Sequence, residues 1–146
     1  MRAVLLLFLV TLIVACQAMP AARESAPSEM KISESSGTDW KKAERITVAL
    51  SDFKFTPAHI ALKKDLPYQL HLENKGSGGH NSKAPEFFAI ATFRDNQSAL
   101  NRGVVELAKG ETKDIFLVPH KSGTFDLICS HFLHPGLGMT GKIIVQ

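Results

Sequence analysis

A thiol, an imidazole and a thioether fall within one short stretch of this chain: Cys129, His134 and Met139, in the run Cys129-Ser-His-Phe-Leu-His134-Pro-Gly-Leu-Gly-Met139-Thr-Gly141. Sulfur donors of this kind, combined with imidazole, select copper among the available metals. One Cys and two His in a plane, with a distant axial Met, make a centre that moves single electrons. The run supplies three of those four donors, so a second imidazole has to come from elsewhere. His80 is placed to do this. It follows Gly76-Ser-Gly-Gly79 and precedes Asn81. The glycines let the backbone come close to a bound ion, and Asn81 can hydrogen-bond across to the Cys129 segment. His131, two residues after Cys129, is an alternative ligand. Taken singly, Met139 reads as core filler and His80 as a loop histidine; only as a set do they read as ligands. Cys-x4-His-x4-Met is not a zinc spacing. No nucleophile stands beside a general base, so no catalysis by this chain is expected.

These donors need a rigid frame, and the chain from Arg45 onward has the period of strands. Ile46, Val48 and Leu50 alternate with Thr47 and Ala49. Tyr68, Leu70 and Leu72 alternate with Gln69, His71 and Glu73. Phe125, Leu127 and Cys129 alternate with Asp126 and Ile128. Alternation of this kind marks half-buried strands and turns the Cys129 thiol inward at a strand end. Ile115–Val118, Lys142–Val145 and Phe88–Phe93 are further strand candidates, and Asn96–Gly103 is read as a short helix. Turn signals separate them at Thr56-Pro57, Lys63–Pro67, Lys75–Gly79, Lys109-Gly110 and Lys121–Gly123. Short strands with regular turns argue an all-β sandwich. Phe53, Phe55, Phe87, Phe88, Phe93, Phe116 and Phe125 are read as core. His59, His71 and His120 are read as surface histidines. Phe132 and Leu133 offer an apolar patch for a partner, and Trp40 either packs on the domain or lies open to solvent.

Three segments carry a family resemblance. Asp52-Phe-Lys-Phe-Thr-Pro57 resembles the early strand and turn of the cupredoxins, the family of plastocyanin, azurin and rusticyanin. His80-Asn81 resembles plastocyanin's His-Asn pair. The segment from His134 to Lys142 resembles plastocyanin from its second copper histidine onward. The resemblance covers residues 45–146. It implies a Greek-key β-sandwich that holds one type 1 copper at one end, with His80, Cys129, His134 and Met139 as ligands and Asn81 just behind them. Four residues separate Cys129 from His134, where plastocyanin has two and azurin and rusticyanin have four.

The N-terminus reads as an export signal. Arg2 precedes an apolar run from Ala3 to Val14, which is too short to span a bilayer. The run ends in Leu12-Ile13-Val14-Ala15-Cys16. That segment resembles a bacterial lipobox, which implies cleavage before Cys16 and lipidation of Cys16; Gln17 suggests the outer membrane rather than the inner. Cys129 is then the one free thiol in an oxidising compartment, a liability unless something occupies it. Residues 17–44 are rich in Ser, Ala, Pro, Glu and Lys without a period, so they read as a flexible tether. A random coil of that length spans roughly 30 Å. The formal net charge is only +3, and no Lys/Arg run argues for nucleic acid.

The expected function is that of a monomeric periplasmic type 1 copper protein, held to the membrane by a lipid anchor and passing single electrons to a redox partner protein. The alternative is copper binding for tolerance or delivery, which His131 favours. A multicopper oxidase needs several such domains and His-x-His pairs, which this sequence does not contain.

Overall fold

The computed structural model describes residues 37–95 and 100–146. The segment read as an export signal, Cys16 and most of the segment read as a tether lie outside these described residues. In chain order the strands are β1 (Glu44–Ser51), β2 (Lys54–Thr56), β3 (His59–Leu62), β4 (Tyr68–Asn74), β5 (His80–Lys83), β6 (Ala91–Phe93), β7 (Leu100–Asn101), β8 (Val104–Leu107), β9 (Thr112–Pro119), β10 (Gly123–Ile128) and β11 (Thr140–Val145). A short helix, α1 (Pro85–Ala89), lies between β5 and β6, and a 3-10 turn (Trp40–Lys42) precedes β1.

The strands form two sheets, in the orders β2-β1-β4-β9-β6 and β3-β11-β10-β5-β8-β7. The all-β sandwich expected from the alternation is therefore present. Val48 and Leu50 of β1, Tyr68, Leu70 and Leu72 of β4, and Ile115 and Leu117 of β9 point inward from the first sheet. Ile60, Val105, Leu107, Phe125, Leu127, Ile143 and Val145 meet them from the second. The same alternation carries one residue past β10 and buries Cys129 completely.

Four local expectations are corrected. The strand read over Phe88–Phe93 is half helix. Phe87 and Phe88 are both buried, and adjacent side chains on a strand point to opposite faces. A helical turn started by Pro85 buries both. Of the helix read over Asn96–Gly103, residues 96–99 lie outside the described residues, and the rest is β7 and its turn. His71 does face the outside of its sheet, yet it is buried. Its Nδ1 lies 2.7 Å from Asp114 Oδ1 and its Nε2 3.1 Å from Glu73 Oε1, so two carboxylates cover the ring. Phe116 is not core either: it lies on the outer face beneath the Arg94 guanidinium, 3.5 Å from the ring centroid. Trp40 meets the same ring edge-on at 6.4 Å. Trp40, within the segment read as tether, thus packs on the sandwich.

Candidate metal centre

The candidate ligands converge at one end of the sandwich. β10 and β11 pair as far as Ile128 and Thr140. Beyond that pair, the Cys129 N–H donates to the Met139 carbonyl at 3.1 Å, and the Met139 N–H donates to the His134 carbonyl at 2.9 Å. The loop between them folds on its own hydrogen bonds, His134 N–H to His131 O and Leu137 N–H to Leu133 O. Leu133 and Gly138 take left-handed backbone angles, with φ of 66° and 102°. At Gly138 the missing side chain makes this easy.

His80 comes from a different hairpin. It opens β5, pairs with Leu107 of β8, and is almost fully buried. The sequence places it in a loop, but the structure makes it the first residue of a strand. Its Nδ1 lies 3.2 Å from Nδ1 of His134 and 4.0 Å from Sγ of Cys129, and the third side, Cys129 Sγ to His134 Nδ1, is 3.4 Å. A circle through these three atoms has a radius of about 2.1 Å, close to the bond lengths that a first-row divalent metal makes to nitrogen and sulfur. Among the described residues, His80, Cys129 and His134 are the cluster whose ligand atoms meet in this way. Met139 is fully buried next to them in the chain fold.

The surrounding groups hold the donors in place. The Asn81 N–H points at Cys129 Sγ from 3.5 Å. The Asn81 side chain accepts from the Ser130 N–H at 2.7 Å and donates to Ser130 Oγ and to Glu106 Oε2, both at 3.0 Å. This is the bridge expected of Asn81, with Glu106 of β8 as a third party. Glu106 also takes the Nε2 of His131 in a very short contact. The His131 ring lies near those of His80 and His134, with centroids at 6.5 and 5.5 Å, while its Nε2 is engaged by Glu106. Burial first, and after it the neighbouring His80 and His131 rings, pushes the His134 imidazole below its usual pKa. That keeps a lone pair available for a metal at neutral pH.

Sequence reasoning missed two neighbours of the ligands. Asp52 Oδ1 lies 3.2 Å from His80 Nε2. Phe53, read as core, is exposed and stands against His134. Both lie in the segment Asp52–Pro57 that carries part of the family resemblance, but no turn signal marks positions 52 and 53 and nothing in the segment points to the metal centre.

A family model for the cupredoxin-like domain matches residues 5–145. The chain belongs to this family. No curated protein matches the sequence. Among solved structures, this cupredoxin resembles reduced auracyanin from the photosynthetic bacterium Roseiflexus castenholzii, at 16% identity and a TM-score of 0.54, over 71% of this chain and 98% of that one. It resembles auracyanin B at 20% identity and a TM-score of 0.54, over 72% and 90%. A multicopper oxidase matches at 11% identity and a TM-score of 0.54, over 70% of this chain but 44% of the oxidase. At these identities the likeness shows the fold. The donor set of this cupredoxin, one thiol and two imidazoles on a ring of bonding radius beside a buried thioether, fits one copper ion of type 1.

Proposed function

We propose that the protein carries single electrons on one copper ion held by His80, Cys129, His134 and Met139. The observation that carries this reading is the Cys129–His80–His134 triangle, with Cys129 and His80 buried and His134 partly exposed. Copper bound there supplies a Cu(II)/Cu(I) couple. The chain's own part is to keep the donors still. Cys129 and Met139 are fastened at the ends of β10 and β11, His80 is fixed in β5, and the Asn81 side chain ties the two segments together. A site that barely moves between oxidation states exchanges electrons with little rearrangement. The Asn81 N–H on the sulfur tunes the couple, since hydrogen bonds to the thiolate stabilise its charge.

His134 is the partly exposed ligand, and Phe132, Leu133 and Leu137 stand exposed around it. We read that apolar rim as the docking surface for a redox partner protein. We read residues 1–16 as an export signal that ends at a lipidated Cys16, so that a tether holds a monomeric domain in the periplasm, at the outer membrane. Copper capture for tolerance or delivery is the weaker reading, because His131, the residue that would serve it, is engaged by Glu106.

The test is spectroscopic. Copper(II) added to the protein should give an intense visible thiolate-to-copper band and a type 1 paramagnetic resonance signal, both lost in Cys129→Ser. Weak colour with ordinary tetragonal copper signals sinks the carrier reading.

A further inference from the structure

A metal-binding histidine has two ring nitrogens, and the hydrogen bond made by one decides whether the other has a lone pair to give. In His80 it is Nδ1 that faces Cys129 and His134. For Nδ1 to give a lone pair to a metal, Nε2 has to carry the proton, and Nε2 faces Asp52 Oδ1 at 3.2 Å. Asp52 lies in the turn between β1 and β2, on a segment that contributes no ligand. The same Oδ1 accepts the Ser77 N–H at 2.9 Å. One carboxylate oxygen therefore joins the β1–β2 turn to the β4–β5 loop and faces His80 Nε2 as well.

The space for this contact is made by Gly76. A Cβ there would lie 2.3 Å from His80 Nε2, 2.6 Å from His80 Cδ2 and 2.8 Å from Asp52 Oδ1. Those distances are far below van der Waals contact, so a side chain at position 76 and the His80–Asp52 contact exclude each other. The next residue, Phe53, has a left-handed backbone with φ of 64°, which is costly for an aromatic residue. That bend turns Phe53 onto His134 while Asp52 points at His80.

We infer that Asp52 is a positioning residue of the metal centre: it holds the His80 ring with Nε2 protonated and Nδ1 free for the metal. The inference rests on the metal-site reading above, but it does not need the protein to be an electron carrier. Asp52 is partly exposed, its side chain retaining 46% of its accessible surface, so its replacement should leave the sandwich folded.

The experiment compares wild type, Asp52→Ala and Asp52→Asn. Long-range proton–nitrogen NMR of the metal-free proteins at mildly alkaline pH reports the His80 tautomer. Competition titrations with zinc(II) and copper(II) report affinity, and thermal melts of the metal-free proteins report stability. Wild type should show a single His80 tautomer with the proton on Nε2. Asp52→Ala should show a mixture and lose about 10- to 100-fold in affinity for both metals. Asp52→Asn, which keeps an acceptor oxygen, should recover most of that loss. An unchanged tautomer in Asp52→Ala overturns the inference. So does an affinity loss accounted for by a lower melting temperature alone. If wild type binds zinc with the expected tautomer but gives no intense band with copper, this assignment stands and the carrier reading falls.

Discussion

The Phe53 ring stands edge-on to the His134 ring, with centroids 5.3 Å apart and planes at 80°. This contact joins the β1–β2 turn to the ligand loop, and a left-handed backbone at Phe53 makes it possible. An aromatic edge contact contributes about 0.5–1.5 kcal/mol, and a left-handed residue with a Cβ costs roughly 1–2 kcal/mol. Phe53→Gly loses both, so its stability should stay within about 1 kcal/mol of wild type. Phe53→Ala loses the contact and keeps the strained angle, so it should be less stable than Phe53→Gly by about 1 kcal/mol. Urea unfolding of the metal-free proteins ranks them, and an alanine variant at least as stable as the glycine variant contradicts this account of the turn.

Two glycines in one loop provide a matched pair. Gly76→Ala places a methyl group where His80 Nε2 and Asp52 Oδ1 now sit, whereas at Gly78 a Cβ meets nothing within 4 Å. Gly76→Ala should weaken copper binding by about 10-fold or more, and Gly78→Ala should bind like wild type. A copper titration followed in the visible region separates them. Equal affinities would remove the steric argument for Gly76.

Asn81→Ala removes the acceptor of the Ser130 N–H and a donor to Glu106, while the Asn81 backbone N–H still reaches the Cys129 sulfur. A hydrogen bond within the fold contributes about 0.5–1.5 kcal/mol net, and both lost bonds are only part-buried. The metal-free protein should lose stability of that order, measured by chemical denaturation. The visible band of the copper form should persist at reduced copper affinity, because the ligands themselves remain. Loss of the band altogether would mean that Asn81 does more than hold the loop.

The depressed His134 pKa has a definite sign. The free imidazole titrates at 6.5, and in the folded metal-free protein burial and the neighbouring imidazoles push His134 lower. As pH falls below 6.5, the unfolded chain takes up the proton first. Stability contributed by the neutral ring is therefore complete above 6.5 and declines below it, until the folded protein also protonates. NMR titration of the His134 ring should give a midpoint under 6.5, and denaturation midpoints should drop from pH 7 to pH 5. A midpoint at or above 6.5 defeats this prediction.

The sequence exposes the donors well because they depend on order along the chain. Cys129, His134 and Met139 lie in one loop, the period of two turns Cys129 inward, and His80-Asn81 stands beside its glycines. What it hides depends on contacts between distant segments. Asp52 and His80 are separated by 28 positions, and no period or spacing links a turn carboxylate to a strand imidazole. Glu106 reaches Asn81 and His131 from a strand that the alternation did not reveal. His71 shows the limit of alternation itself. The pattern gives the correct face of β4, but a face covered by Asp114 and Glu73 is not a face open to water. The helix at Pro85 was the most recoverable miss, since a proline followed by an acidic residue is a helix-start signal.

β1 runs from Glu44 to Ser51, and the turn that touches both imidazoles follows directly. A strand of that length spans about 23 Å. The 3-10 turn at Trp40 therefore sits at the pole away from His134. A molecule fastened to an electrode through its N-terminal side would present the copper end to the solution. It should exchange electrons slowly with the electrode and readily with a dissolved reagent, and fastening it through the opposite pole should reverse that preference.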